Sequence, residues 1–423
     1  MLDAKRSGLK TFSWACFDFA NSAYGTLIGT FVYATLFTEK FAEDSIQGTA
    51  WWGYAVAVSS LVIGLSSPPL GAIADAYGWK KRLMTFFIGV CSLASFALYF
   101  PTPEFAIWGL VLFAIGNVAV ELAIVFNNAF LPEIAPKEKM GKISGLAWGF
   151  GYVGGLLCLG IALVGFALPE EPWFGLSKDG DEHVRATNLL VGLWVLVFSL
   201  PMLIFVGERR QAKSSEGIAN VVRSSWLRLS ETYREIRNFK NVFWLLFARL
   251  FYNDGLTTVF AFGAIYAAGS FGFEFQEILV FGIVLNVAAG GGAFLFSFFE
   301  DRIGSLRTIL VSLVFLIGVS ISAVLVESKD AFWVCGILLG IFIGPNQSAS
   351  RAFMAKIVPE EKTNEFFGFF AFSGKTVSFL GPALCAWLTA TFASQRVGMM
   401  VIPGLFLLGL FLAIWKVRDE KSG

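Results

Sequence analysis

Long apolar stretches broken by short polar ones fill almost the whole chain. A membrane-spanning helix needs roughly 20 mostly apolar residues. On that measure the pattern predicts twelve: 11–38, 51–75, 82–100, 105–131, 142–168, 188–207, 242–268, 276–299, 306–326, 331–356, 365–391 and 396–416. The first and seventh are the least purely apolar. The first is too long, and too interrupted by Asp18 and Asn21, for a cleavable signal peptide, so it reads as a span that stays. The expected fold class is an all-α membrane protein with two six-helix halves, 1–207 and 242–423. The linker, 208–241, places Trp226, Leu227, Leu229, Tyr233 and Ile236 among charges at roughly helical spacing. That spacing fits an amphipathic helix on the membrane surface; a solvated tether fits equally well. The polar segment 169–187 reads as an outer loop, with His183 exposed in it.

The two halves echo one another. At an offset of 223, Ala129, Phe130, Ile134, Pro136, Gly145 and Gly151 meet Ala352, Phe353, Ile357, Pro359, Gly368 and Gly374. Nearby, Asp75 and Gly78 return 226 residues later as Asp301 and Gly304. Duplicated membrane halves enclosing a midplane site are a transporter plan. The place to look for a site is therefore where the halves meet.

Composition narrows the classes. Only 15% of residues are charged and 56% are apolar, against about 25% charged in soluble domains. One His and five Cys, none in CxxC spacing, leave no basis for a metal site, a cofactor or a disulfide framework. A membrane enzyme would need a His cluster, metal spacing or a nucleophile with a base, and none is evident. A net charge of +1 gives no reason to expect nucleic acid. Charge placement is more telling. Most of the 32 Lys and Arg lie at the termini and in the loops on one predicted side. The opposite loops hold Lys40, Lys178, Arg185, Lys329 and Arg396. Lys and Arg concentrate in cytoplasmic loops. Both termini are thus expected in the cytoplasm, in a cell (inner) membrane, with the lipid bilayer, a small solute and protons as partners of a monomer.

Gly149, Gly151 and Gly154 match GxGxxG, but the motif lies inside an apolar helix. A dinucleotide site needs a strand before it and a helix after it, so these glycines read as helix-packing positions. The loop Gly71-Ala-Ile-Ala-Asp75-Ala-Tyr-Gly78-Trp-Lys80-Lys81-Arg82 is more specific. Gly71 permits close helix contact, Gly78 a tight turn, and Asp75 can face a helix N-terminus or a cation. The loop resembles the signature loop of the major facilitator superfamily, with Trp79 where that family usually has Arg. The resemblance narrows further. Ser13-Trp14 through Asp18, Asn21 and Tyr24 is similar to the first helix of the vacuole-effluxer-like branch. So are Asn128-Ala-Phe-Leu-Pro132-Glu133, Ser144-Gly145, Arg249-Leu-Phe-Tyr252-Asn253-Asp254-Gly255 and Gln347-Ser-Ala-Ser350-Arg351. The matches run in order from residue 13 to about 382. The resemblance implies a twelve-helix carrier. It implies a latch at Gly71, Asp75, Gly78, Lys80, Asp301, Gly304 and Arg307. In the branch's eukaryotic members, which carry long loops absent here, it implies amino-acid export from the vacuole.

Six ionisable residues fall within predicted spans: Asp18, Glu121, Arg249, Asp254, Arg351 and Lys375. Each costs at least about 2.5–3.5 kcal/mol to bury there, so each needs a partner or a task. At about 1.5 Å of rise per residue, they occupy a narrow band of depth. They either pair off as bridges between the halves or line a polar cavity. In the second reading, Arg249 or Lys375 takes a solute carboxylate, and Asp18, Asp254 or Glu121 takes an ammonium group or a proton. Glu121, flanked by Val120 and Leu122, is the leading proton carrier, as a lone carboxylate in apolar surroundings, with Asp18 second. Asn21, Asn128, Tyr252, Asn253 and Gln347 add neutral hydrogen-bonding groups. Arg351, nearer a helix end, is read as a gate residue, and its counterpart in the other half is Asn128.

Overall fold

The computed structural model describes residues 2–43, 45–208, 239–375 and 378–418. Twelve long helical segments follow one another. We number them α1 (2–41), α2 (Ser45–Tyr77), α3 (Lys80–Ala97), α4 (Ala106–Ala129), α5 (Met140–Ala162), α6 (Thr187–Phe205), α7 (Lys240–Phe271), α8 (Phe275–Ile303), α9 (Ser305–Leu325), α10 (Lys329–Ile357), α11 and α12 (Val401–Lys416). Segment α11 has two pieces, Thr363–Lys375 and Leu380–Phe392. Segment α1 is α-helical over Leu2–Ala23 and continues largely as wider π-helical turns to Phe41. Nine of these segments are long and apolar enough by themselves to cross a membrane. The other three, α1, α3 and α7, carry the polar residues noted above or begin with Lys80, Lys81 and Arg82.

Apolar character runs all round most helices, as it must when one face meets lipid and the other meets protein. Phe86, Phe100, Trp108, Phe299, Trp387 and Trp415 all present exposed rings. The packed interior is aromatic and close-fitting, with Trp14, Tyr24, Tyr33, Phe126, Phe130 and Tyr252 fully buried. The GxGxxG glycines lie inside α5 and pack it against neighbours. Gly149 faces the Gly290 carbonyl on α8, and Gly151 faces Asp18 and Ser22 on α1. His183, expected on the surface, is buried in a short helix, Glu182–Arg185, that packs beside α6. Its loop folds back because Glu182 accepts hydrogen bonds from the Tyr99 hydroxyl (2.6 Å) and the Ser177 amide (3.1 Å). Of the linker 208–241, residues 209–238 lie outside the described residues, and with them the expected amphipathic helix. Glu208, at its start, caps α3 by accepting from the Lys80 (2.8 Å) and Lys81 (3.1 Å) amides.

The two halves meet through two equivalent contacts, α2 against α11 and α5 against α8. These are reciprocal in detail. The Asp75 carboxylate accepts from the first-turn amides of α11, Asn364 (3.2 Å) and Glu365 (2.8 Å). The Asp301 carboxylate accepts from the first-turn amides of α5, Lys142 (3.1 Å) and Gly141. Shifting Asp75 by 226 and Gly141–Lys142 by 223 converts one arrangement into the other. Each carboxylate satisfies amides that a helix start leaves open, at the positive end of its dipole. Gly78 (φ 62°) and Gly304 (φ 96°) make the matching left-handed turns.

Candidate functional site

Between the halves, on the side away from the termini, lies a cavity of about 730 Å³. Its walls come from α1, α5, α7, α8, α9 and α10, with Glu121 of α4 and Ile402 of α12. Aromatic and aliphatic side chains dominate: Phe31, Trp148, Tyr152, Phe260, Phe281 and Phe332. Ser22, Thr26, Thr30, Asn286 and Glu121 supply polar atoms. Towards the termini the cavity is closed by the α2–α11 and α5–α8 contacts. There the backbones are nearly touching. A Cβ on Gly145 would stand 2.6 Å from the Ser297 Cβ, and one on Gly71 would stand 2.8 Å from the Glu365 Cα.

Glu121 is not the lone carboxylate that its neighbours in sequence suggested. Its Oε1 lies 2.6 Å from Lys375 Nζ, across the boundary between halves. Both side chains keep about a quarter or more of their surface open, 26% for Glu121 and 30% for Lys375. Glu121 lines the cavity, and Lys375 meets it from behind that wall, where α4 from one half packs against the first piece of α11 from the other.

A second pair bridges the halves closer to the termini. Arg351 Nη1 lies 2.7 Å from Asp18 Oδ2, with 3% and 9% of the side chains open. The guanidinium also donates to Asn128 Oδ1 (3.3 Å), Ser144 Oγ (2.9 Å) and the Ser144 carbonyl (2.8 Å). Its cationic plane lies 4.8 Å from the centre of the Trp14 ring and 5.5 Å from that of Trp148. Asn127 donates to the other Asp18 oxygen (3.3 Å), and Trp14 Nε1 holds the Asn127 carbonyl (2.7 Å). Every element here comes from α1, α4, α5 or α10. Asp18 and Asn128, expected at the solute, are therefore engaged in the closure with Arg351.

The polar residues of α7 serve a third purpose. Arg249 donates to the Phe370 carbonyl (2.8 Å) and Ser373 Oγ (3.2 Å), and stacks 3.7 Å from the Phe370 ring centre. Asn253 donates to the Gly374 carbonyl (3.0 Å), and Asp254 accepts from the Gly381 amide (2.6 Å). These side chains thus grip α11 on both sides of its interruption, where helix ends leave carbonyls and amides open. Gln347 donates to Asn253 Oδ1 (3.2 Å), and the Tyr252 hydroxyl meets Ser350 Oγ at 2.9 Å. Arg249 and Asp254 are buried, and neither borders the cavity among the described residues. Asn21 donates to the Phe17 carbonyl of its own helix (3.0 Å).

The latch residues divide between the two closing contacts, Gly71 and Asp75 at α2–α11 and Asp301 at α5–α8. Lys80 pairs with Glu133, donates to the Ala129 carbonyl (3.2 Å) and lies over the Phe130 ring. Arg307 sits exposed in the first turn of α9. Sequence reasoning gave no role to Asn364 and Glu365, whose amides donate to Asp75. Their signal was present in the repeat, since Gly141 and Lys142 occupy the equivalent positions beside Asp301. Among the described residues no cluster of His, Cys, Asp and Glu could hold a metal ion.

Two six-helix halves around a cavity that is closed on one side define a carrier of the major facilitator fold. Solved structures agree on that fold. The fucose:proton symporter FucP of E. coli superposes with a TM-score of 0.74 over 98% of both chains, at 13% identity. The proton:xylose symporter XylE superposes with 0.75 over 99% of this chain and 97% of its own, also at 13% identity. The family model described as "Vacuole effluxer Atg22 like" matches residues 38–423. The chain belongs to that family and is a transporter, not an enzyme. It is 28% identical to the uncharacterized MFS-type transporter YxiO of Bacillus subtilis, over 99% of this chain and 97% of that one. It is 21% identical to autophagy-related protein 22 of Cryptococcus neoformans, over 85% of this chain and 84% of that one.

Proposed function

We propose that this transporter moves a small polar solute, amino acids first among them, by alternating access with proton coupling. The observation that carries the reading is the Glu121–Lys375 pair. It spans the two halves, holds Lys375 against the cavity-lining Glu121 and keeps both side chains partly open. A zwitterion can replace each partner with its own opposite charge: carboxylate to Lys375, ammonium to Glu121. Protonation of Glu121 would release Lys375 in the same way, which links proton and solute through one bond. Asp18, Arg351, Asn128 and Ser144, together with Asp75 and Asp301, would act in closing the terminal side. Halves 1–207 and 242–423 would rock as units about the midplane, joined by 208–241. The Lys and Arg asymmetry supports cytoplasmic termini in a cell (inner) membrane. In that orientation the present state is closed to the cytoplasm.

The mainly apolar cavity wall favours one second reading, an amphiphilic or peptide-sized solute. Both are tested by counterflow in proteoliposomes with labelled amino acids, dipeptides and amphiphiles, with and without a pH gradient. Saturable, gradient-driven amino-acid exchange that Glu121→Gln uncouples from the gradient is the expected result. Exchange of amphiphiles or dipeptides alone would replace the first reading with the second.

A further inference from the structure

A second large void lies outside the transport cavity and has no part in the reading above. It is an apolar groove of about 1020 Å³ on the outer surface of the bundle, formed by α1, α5 and α8. It therefore straddles the boundary between the halves. Its walls include Phe12, Phe150, Val153, Val287 and Phe294, and Phe12, Val153, Val287 and Phe294 are each about half exposed. Its floor includes Gly291, where an added Cβ would meet nothing within 4 Å. Among the described residues the one Lys, Arg, Asp or Glu lining the groove is Lys139, at the end nearest the termini. Lys142 follows one helical turn on, its Nζ 5.3 Å from the Phe298 ring on the α8 rim. Neither lysine has an ion-pair partner among the described residues. The nearby Asp301 carboxylate accepts from the amides of Gly141 and Lys142 and also faces the charges of Lys142 and Lys356, which leaves Lys139 the less compensated of the two.

An apolar slot of this size, ending in two cations at the level of the helix starts, matches an amphiphile with an anionic head. A soluble anion would have no use for the slot, and a zwitterionic lipid would gain less from the lysines. We propose that the groove is a binding site for an anionic phospholipid. One acyl chain lies between α5 and α8, and the phosphate rests by Lys139 and Lys142. Because α5 and α8 belong to different halves and their contact closes the terminal side, a lipid bound along that seam favours the closed state. Tyr152 and Leu156 line both the groove and the transport cavity. The acyl chain and a solute therefore press on the same two side chains from opposite sides.

The test uses the full-length protein in detergent, titrated with phosphatidylglycerol or phosphatidylcholine and followed by thermal unfolding and native mass spectrometry. Phosphatidylglycerol should stabilise the protein and survive as a bound adduct, and phosphatidylcholine should do neither. Gly291→Leu adds a side chain in the groove at a position where a Cβ meets nothing within 4 Å and should abolish the difference. Lys139→Gln should raise the phosphatidylglycerol concentration needed about fivefold, the worth of one lysine near an anionic headgroup. Gly318→Leu, at another exposed glycine with open space around it on α9, should leave the difference intact. Equal stabilisation by both lipids, or a full phosphatidylglycerol response in Gly291→Leu and Lys139→Gln, would overturn the proposal. Transport is not measured, so failure here leaves the solute assignment untouched.

Discussion

The Arg351–Asp18 and Glu121–Lys375 ion pairs both bridge the halves, and their surroundings make them different devices. Arg351 and Asp18 are almost wholly enclosed, and the guanidinium is shared among Asp18, Asn128, Ser144 and two indole rings. Glu121 and Lys375 hold one contact, partly open, beside a cavity. A buried pair with all its hydrogen bonds satisfied fixes one arrangement, and removing one member strands the other charge. A partly open pair contributes little to stability and is free to exchange partners. The same chemistry thus yields a clasp in one place and an exchangeable contact in the other, and the deciding variable is access.

Breaking the clasp is the harshest test of that contrast. Arg351→Ala leaves the Asp18 carboxylate buried without its cation and should cost the closed arrangement about 3–5 kcal/mol. Amide hydrogen exchange across the start of α5 and the end of α10 should accelerate sharply. Unchanged protection there would show that the pair does not hold the closure. Replacing both partners, as Asp18→Asn with Arg351→Met, removes the stranded charge and should recover much of the loss, read by the same exchange.

Glu121→Gln should behave in the opposite manner. Thermal stability should move by no more than about 1 kcal/mol, while the response of transport to a pH gradient disappears and counterflow persists. A large loss of stability with coupling intact would erase the distinction between the two pairs. The smallest effects belong to the helix caps. Asp75→Asn and Asp301→Asn should each weaken the closed state by about 1 kcal/mol. The Asp75 change should be the larger, because Asn364 Nδ2 also donates to that carboxylate at 2.6 Å. Site-directed spin-label distances across α2–α11 and α5–α8 would rank them.

Much of the architecture was legible in the chain because its causes are local. Twenty-residue apolar runs demand helices, and the 223 and 226 offsets disclosed a duplicated unit. The turn at Ser378 and Phe379 in α11 was not legible, because the span 365–391 reads as continuous. Its supports, Arg249, Asn253 and Asp254, lie more than a hundred residues away in sequence. The pairing of charges was also hidden. Depth placed Glu121 beside Lys375 at one level, but depth is a single coordinate, and rotation about each helix axis decides which charges face. That is why Arg249, matched in depth with the acids, turned out to hold backbone carbonyls instead of a carboxylate. Glu121 looked isolated because only its sequence neighbours were in view, whereas its partner lies 254 residues on.

Asn128 and Arg351 occupy equivalent places in the two halves, and they touch. Positions related by a twofold relation can meet only on its axis. Had the six-helix unit existed as a pair of identical chains, whatever residue stood there would have faced its own copy. Two arginines would repel, and two asparagines would carry no charge to attract Asp18. Joining the units in one polypeptide removed that constraint. Each copy could then evolve alone, so that one supplies the cation and the other a neutral acceptor. The clasp is a contact that two identical copies could not form.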